Sequence, residues 1–266
     1  MSRSSNVRAV AAAVLLSVAL PALAPGQSAD SERAEARGDS LMEAFETEAA
    51  IRAYRQGLEV APRKPSLLWR TSLALSSRAV ATSGYGGDEA LLAEAVELAQ
   101  RAVRAAPRSA RAHAVLAVAL GRYGRALGYL YRIEKAGTVV ELGRRAHGHA
   151  TAALRLDPDE FIAHVFLGVY HRRLATLNPV VRTIGETFLG GWPEVSLAES
   201  ARHLERAVAL APDEVTAHYE LGRTYRELGR PGAARRELRK AIGLEPKDEL
   251  DRVEQALARE ILREMG

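Results

Sequence analysis

The chain of 266 residues has 47% hydrophobic and 26% charged residues but only 5% aromatics, which supports a sizeable core, excludes global disorder and argues against a β-rich fold. Its formal charge of +4 includes Arg3 and Arg8; from Asp30 onward 35 basic residues face 33 acidic ones, so basicity alone implies neither nucleic acid nor membrane. With no cysteine, disulfides, zinc–thiolate sites and thiol nucleophiles are excluded.

The N-terminus starts with Arg3 and Arg8, continues as an apolar run from Ala9 to Leu20, breaks at Pro21 and ends in the small residues Ala22, Leu23 and Ala24. This is the layout of an export signal. The apolar run is shorter than the roughly 20 residues that span a bilayer, so cleavage is expected, after Ala24 or near Ala29, with an uncleaved anchor as the alternative. Residues 1–29 are therefore assigned to a signal peptide and residues 30–266 to one folded domain. The exported chain is expected in the periplasm or cell envelope, with no stable membrane span after cleavage.

The remainder is punctuated by proline. Five segments end alike: Gly57-Leu58-Glu59-Val60-Ala61-Pro62, Ala102-Val103-Arg104-Ala105-Ala106-Pro107, Ala153-Leu154-Arg155-Leu156-Asp157-Pro158, Ala207-Val208-Ala209-Leu210-Ala211-Pro212 and Ala241-Ile242-Gly243-Leu244-Glu245-Pro246. Proline stops each helix and a new one begins a few residues on. The interval from Pro212 to Pro246 is 34 residues and carries Leu221, Gly222, Tyr225, Gly229, Ala234 and Ala241, the spacing of a tetratricopeptide repeat. Small residues at Gly222, Ala234 and Ala241 let two antiparallel helices approach, while Leu221, Tyr225 and Leu238 fill the space between them. The frame recurs at His164, Leu167 and Gly168, and more weakly at His113, Leu116 and Ala117. The predicted fold is an all-α, tetratricopeptide-like right-handed α-solenoid of about five helix pairs.

The other intervals, of 45, 51 and 54 residues, are longer, and the extra length falls at Ser83–Gly87, Gly124–Thr138 and Asn178–Glu194. Tyr123, Tyr129 and Tyr131 suggest a lengthened helix in the second of these. After the third, Ser196 and Glu199 have the spacing by which a serine caps a helix and a glutamate reaches back.

Several stretches carry a further likeness: Leu68-Trp69-Arg70, Ala112-His113-Ala114, Leu156-Asp157-Pro158-Asp159, Ala163-His164 through Leu167-Gly168, and Phe188-Leu189-Gly190-Gly191-Trp192-Pro193 leading into Ser196-Leu197-Ala198-Glu199. In these the chain resembles the regulator of microtubule dynamics family, tetratricopeptide-like proteins of animals with bacterial relatives. Ala201 to Ala207 and Glu220 to Tyr225 continue the likeness, which covers roughly Leu41 to Glu264. The resemblance implies a compact helical scaffold, with microtubule or membrane-contact roles ascribed to the animal members, and supplies no catalytic residues. This chain looks exported and resembles the bacterial branch of the family.

Candidate chemistry is sparse. His147 with His149, or His164 with His171, are conceivable ligand pairs, but residues two apart point to different sides of a helix. His113, His164 and His218 each stand six residues after a repeat-ending proline, which marks one recurrent packing slot; no metal or other cofactor is expected. A serine-hydrolase motif is missing, and Gly84-Tyr85-Gly86-Gly87 lacks the Lys-Ser/Thr ending of a phosphate loop. Asp157-Pro158-Asp159-Glu160 reads as a helix end followed by an acidic helix start. The stretch from Arg101 to Lys135 has a net charge of +7, whereas Asp30 to Val60 has −4; this polarity either attracts an acidic partner or joins parts of one molecule. Exposed aromatics do not interleave with the basic residues, which disfavours nucleic acid.

Helical repeats bind along the concave wall made by their first helices. The candidate groove residues are Trp69, Arg70, Val115, Val118, Val165, Phe166, Val169, Tyr219, Arg223 and Arg226, passing from apolar to arginine-lined. They suit a peptide or protein partner with apolar residues and an acidic end; the alternative is that the Asn178–Glu194 insertion folds back and fills the apolar half. The expected function is a non-enzymatic protein-interaction scaffold or adaptor; a microtubule-associated regulator and a helical-scaffold envelope enzyme are the alternatives.

Overall fold

The computed structural model describes residues 25–83, 87–131, 134–178, 183 and 194–266, and among these no strand occurs. Eleven helices of the described residues follow in order: α1 (Pro25–Glu43), α2 (Thr47–Val60), α3 (Pro65–Ser83), α4 (Glu89–Ala105), α5 (Ala110–Tyr131), α6 (Ala136–Leu156), α7 (Phe161–Ala175), α8 (Leu197–Leu210), α9 (Val215–Glu227), α10 (Pro231–Gly243) and α11 (Glu249–Glu264). They stack as five successive pairs, α1/α2 through α9/α10, with α11 as an extra C-terminal helix. Helix α1 begins at Pro25, so the expected boundary after residue 29 falls inside it; residues 1–24 lie outside the described part.

The proline rule sets the helix starts. Helices α3, α5, α7, α9 and α11 each begin three residues after a repeat-ending proline. In the first four cases the residue before the proline accepts a turn hydrogen bond: Lys64 N to Ala61 O at 3.0 Å, Ser109 N to Ala106 O at 3.0 Å, Glu160 N to Asp157 O at 3.2 Å and Glu214 N to Ala211 O at 3.3 Å. Proline at the second position of a β-turn presets the backbone, so one tetrapeptide ends a helix and aims the next.

Pairing depends on small residues facing leucines. At Gly222 a side chain's first carbon would lie 2.7 Å from Leu238 Cγ, and Gly168 meets Leu204 in the same way. Leu204, Leu238, Ala234 and Ala241 are completely buried, and each buried leucine contributes about 1.5–3 kcal/mol. Leu221 is buried as expected, but Tyr225 is only half-buried and donates to Glu205 at 2.8 Å. Helix α5 continues to Tyr131, which is the lengthened helix expected in the second insertion. Gly84 to Gly86 and nearly all of the third insertion, including Phe188 and Trp192, lie outside the described residues.

The recurrent histidine slot has a specific structure. His113, His164 and His218 reach back over the first turn of their helices, and Nε2 donates to the carbonyl of Pro107, Pro158 and Pro212 at 3.1, 2.9 and 3.0 Å. Nδ1 then faces the second helix of the pair: His149 Nδ1 at 3.0 Å, His203 Nδ1 at 3.0 Å and Glu237 Oε2 at 2.8 Å. Those three partners each stand nine residues before the next repeat-ending proline. In the α3/α4 pair the equivalent residues are Leu68 and Leu98, both buried in one core cluster.

Charge joins neighbouring helices, though not as the two blocks of opposite sign suggested. Glu35 pairs with Lys64 and Arg70, Asp39 with Arg70, and Glu48 with Arg78, so these three acids of α1 and α2 are taken up by residues 64–78. From the basic stretch, Arg111 binds the buried Glu160 at 2.9 Å and Arg101 caps the Pro62 carbonyl at 2.8 Å. Asp157 ends α6 and Glu160 caps α7, as the acidic run suggested.

Candidate functional site

The last helix changes the meaning of the concave face. Helix α11 turns back and contacts α3 as well as α9 and α10. Arg78 Nη1 lies 3.5 Å from Glu249, and the Arg252 guanidinium stacks 3.8 Å over the Phe45 ring, at the turn between α1 and α2. Gln255 holds α11 in place by donating to the carbonyls of Ala241 and Leu244 at 3.0 and 2.8 Å. What the sequence suggested as a groove is thereby partly closed into a cavity of about 1120 Å³.

Six of the ten candidate groove residues line this cavity: Trp69 and Arg70 from α3, Val118 from α5, and Val165, Phe166 and Val169 from α7. Arg70 stacks 4.3 Å from the Trp69 ring centre and is fixed by Asp39 and Glu35, so its charge is already matched. Phe166 stacks on Tyr170 with 5.9 Å between ring centres, extending the apolar wall along α7. The other four residues take different places. Val115 is 1% exposed and belongs to the core between the helix pairs, and Tyr219 is buried in the C-terminal core. Arg223 stacks on Tyr219 and bonds Glu220, while Arg226 pairs with Glu264 at 3.0 Å. At the arginine-rich end of the expected groove, Arg226 thus turns to α11, Arg223 lies against residues of its own helix, and neither lines the cavity.

The polar lining comes from residues the sequence reading missed. Arg122 follows Val118 by four residues on α5, and Arg173 follows Val169 by four on α7, so continuing the helical face would have found both. Opposite them stand Glu220 from α9 and Asp251 and Glu254 from α11. Nothing in the local sequence says that α11 folds inward.

Burial and pairing decide the charges here. Burial lowers the affinity of Arg122 for its proton, which Glu254 and Asp248 partly restore. Burial, reinforced by the neighbouring Arg125, brings Arg173 down to about 10, so it remains a cation at neutral pH. Burial alone would raise the Glu220 carboxyl, but Arg172, Arg223 and Arg173 outweigh it and hold the group below the usual range. Glu254 has the opposite outcome: burial and repulsion from Glu220 push it well above that range, although Thr216 donates to it at 2.6 Å. Asp251 rises to about 6 for the same primary reason. The cavity thus has an apolar strip, a cationic side on α5 and α7, and an acidic side on which Glu254 favours the neutral form.

A smaller cavity of about 250 Å³ lies among His147, His171 and His203 on the helices α6, α7 and α8. His147 stacks against Tyr170 and meets His171, while His149 turns to His113, so the two do go to different neighbours. Among the described residues, His171, Glu199 and His203 are the group whose ligand atoms come together in a way that suits a metal ion. Ser196 caps α8 by accepting from Glu199 N at 3.0 Å, but the Glu199 carboxylate does not reach back; it faces Arg202 and the two histidines.

Comparison with known proteins agrees with this architecture. TTC0263, a thermophilic TPR protein of Thermus thermophilus, superposes with a TM-score of 0.62 at 20% identity, covering 86% of this chain and 98% of that one. The fold is accordingly a tetratricopeptide-like α-solenoid. Regulator of microtubule dynamics protein 1 of Mus musculus is 27% identical over 239 residues, covering 88% of this chain and 75% of the relative. The Bos taurus protein of the same name is 29% identical over 231 residues, covering 85% and 69%. Residues 35–266 match the family described as regulator of microtubule dynamics protein 1-3, and the chain belongs to that family.

Proposed function

We propose that this protein is a non-enzymatic interaction scaffold of the bacterial cell envelope that receives a short segment of a partner polypeptide in its inner cavity. The observation that carries this reading is the lining: Val118, Val165, Phe166 and Val169 form an apolar strip beside the cationic Arg122 and Arg173. Such a surface fits a segment with apolar side chains and a carboxylate, and the cavity volume admits a few residues rather than a folded domain. Placement in the envelope is supported by the N-terminal basic and apolar run. Among the described residues no helix is long and apolar enough to cross a membrane.

A photo-crosslinking residue at Val169 tests the proposal, with Arg239 on the exposed face of α10 as control. A polypeptide adduct is expected at Val169 and not at Arg239, and Arg173→Glu should reduce it at least tenfold. Equal adducts at both positions, or adducts only of a small non-peptide molecule, would sink it. The relatives' name favours one second reading, regulation of microtubules. Co-sedimentation with polymerised tubulin separates the two, since the scaffold reading expects none.

A further inference from the structure

We propose that His171, His203 and Glu199 form a binding site for a divalent transition-metal ion of the zinc class, which ties α7 to α8. One ligand atom from each residue lies within 4.8 Å of the others. Glu199 and His203 stand four residues apart on α8, so a single helix face presents both, and His171 comes from the C-terminal half of α7. Two imidazoles and one carboxylate are a donor set for such ions.

His171 supplies the first argument. It is 7% exposed, and its Nδ1 is buried with no hydrogen-bond partner. A buried ring nitrogen left without a partner calls for an explanation, and a cation on its lone pair is one.

His203 supplies the second. The Pro158 carbonyl can only accept, so His164 Nε2 carries a proton, and in the neutral ring His164 Nδ1 accepts from His203 Nδ1. His203 Nε2 is then a bare lone pair, with the ring held by a relay anchored in the backbone. This is how a neighbouring group orients a metal-binding imidazole. Glu199 gives Oε2 to Arg202, which leaves Oε1 for the ion.

Bond lengths of about 2.1 Å put tetrahedral ligand atoms roughly 3.4 Å apart, so modest side-chain rotations close the present spread. The adjoining cavity of about 250 Å³ has room for a water molecule as fourth ligand. The His113 and His149 pair repeats the relay but gathers no third ligand among the described residues, which makes it an internal control.

The test is a titration of tag-free full-length protein with Co²⁺, followed by competition with Zn²⁺. One equivalent should bind with the intense visible bands of a four-coordinate ion, and Zn²⁺ should displace it. Glu199→Gln and His171→Gln should each weaken binding at least tenfold, and His164→Ala about tenfold through loss of orientation, whereas His113→Ala should leave it unchanged. Glu199 is partly exposed, so Glu199→Gln keeps the fold, which circular dichroism checks. Zn²⁺ should raise the melting temperature of the parent and not of Glu199→Gln. Substoichiometric binding, a six-coordinate spectrum, or equal affinity in parent and Glu199→Gln would overturn the proposal.

Discussion

The second and fourth helix pairs place opposite chemistry at one structural position. Leu68 and Leu98 belong to one apolar core, whereas His164 and His203 occupy the equivalent places and bond to each other, with His164 also bonding the Pro158 carbonyl. Both solutions keep the helices together. The apolar pair gains from burial alone; the polar pair survives burial because each nitrogen at the contact has a partner. The lesson is that the repeat fixes a slot, and the slot tolerates either chemistry if both partners agree.

The largest break in the polar half of that comparison is expected at Glu220, where α9 meets α7. Glu220 is 6% exposed and pairs with Arg172, itself 4% exposed. Glu220→Gln leaves buried guanidinium charge uncompensated and should cost about 3–5 kcal/mol in chemical denaturation. A loss below about 1 kcal/mol would mean that water reaches this pair.

Next comes the slot itself. His164→Leu alone strands the His203 N–H and should destabilise by about 1–3 kcal/mol. Adding His203→Leu reproduces the pairing of Leu68 with Leu98 and should restore stability to within about 1 kcal/mol of the parent. Additive losses in a double-mutant cycle would refute the idea that matching matters more than polarity.

Acid should separate the two pairs without any change in volume. Burial, aided by the nearby His164, Arg202 and His171, lowers His203 from 6.5 to about 4. Between those values the unfolded chain binds the proton more tightly, so the contribution is complete above 6.5 and is lost as pH falls toward about 4. Asp251, raised by burial to about 6, acts in the opposite direction and loses stability as pH rises from 3.8 toward 6. The double leucine variant should therefore lose less stability than the parent on acidification from pH 7 to 5. Parallel curves would contradict the assignment. The smallest effect is expected at the exposed pair of Arg55 with Glu94, where Arg55→Ala should change stability by no more than about 1 kcal/mol.

Much of the fold was legible in local chemistry. Proline stops a helix wherever it stands in these turns, and Gly222 facing Leu238 requires close approach, so helix boundaries and pairing could be read without knowing the rest. The apolar strip of the cavity was legible too, because Val165 and Val169 share one face of α7. Arg173 on this face of α7, and Arg122 on the face of α5 that carries Val118, were missed by stopping each face one turn early.

Other features belong to the tertiary structure alone. Helix α11 closes the concave face through contacts with α3 and with the turn at Phe45, elements near the other end of the chain, and no local pattern encodes such a meeting. His171 and the residues Glu199 and His203 come from different helices joined by a long connection, so their convergence depends on how α7 packs on α8. The sequence by itself determined where helices stop and which faces pack. Tertiary structure decided which charged groups share a space, because electrostatic partners are set by distance in three dimensions rather than by separation along the chain.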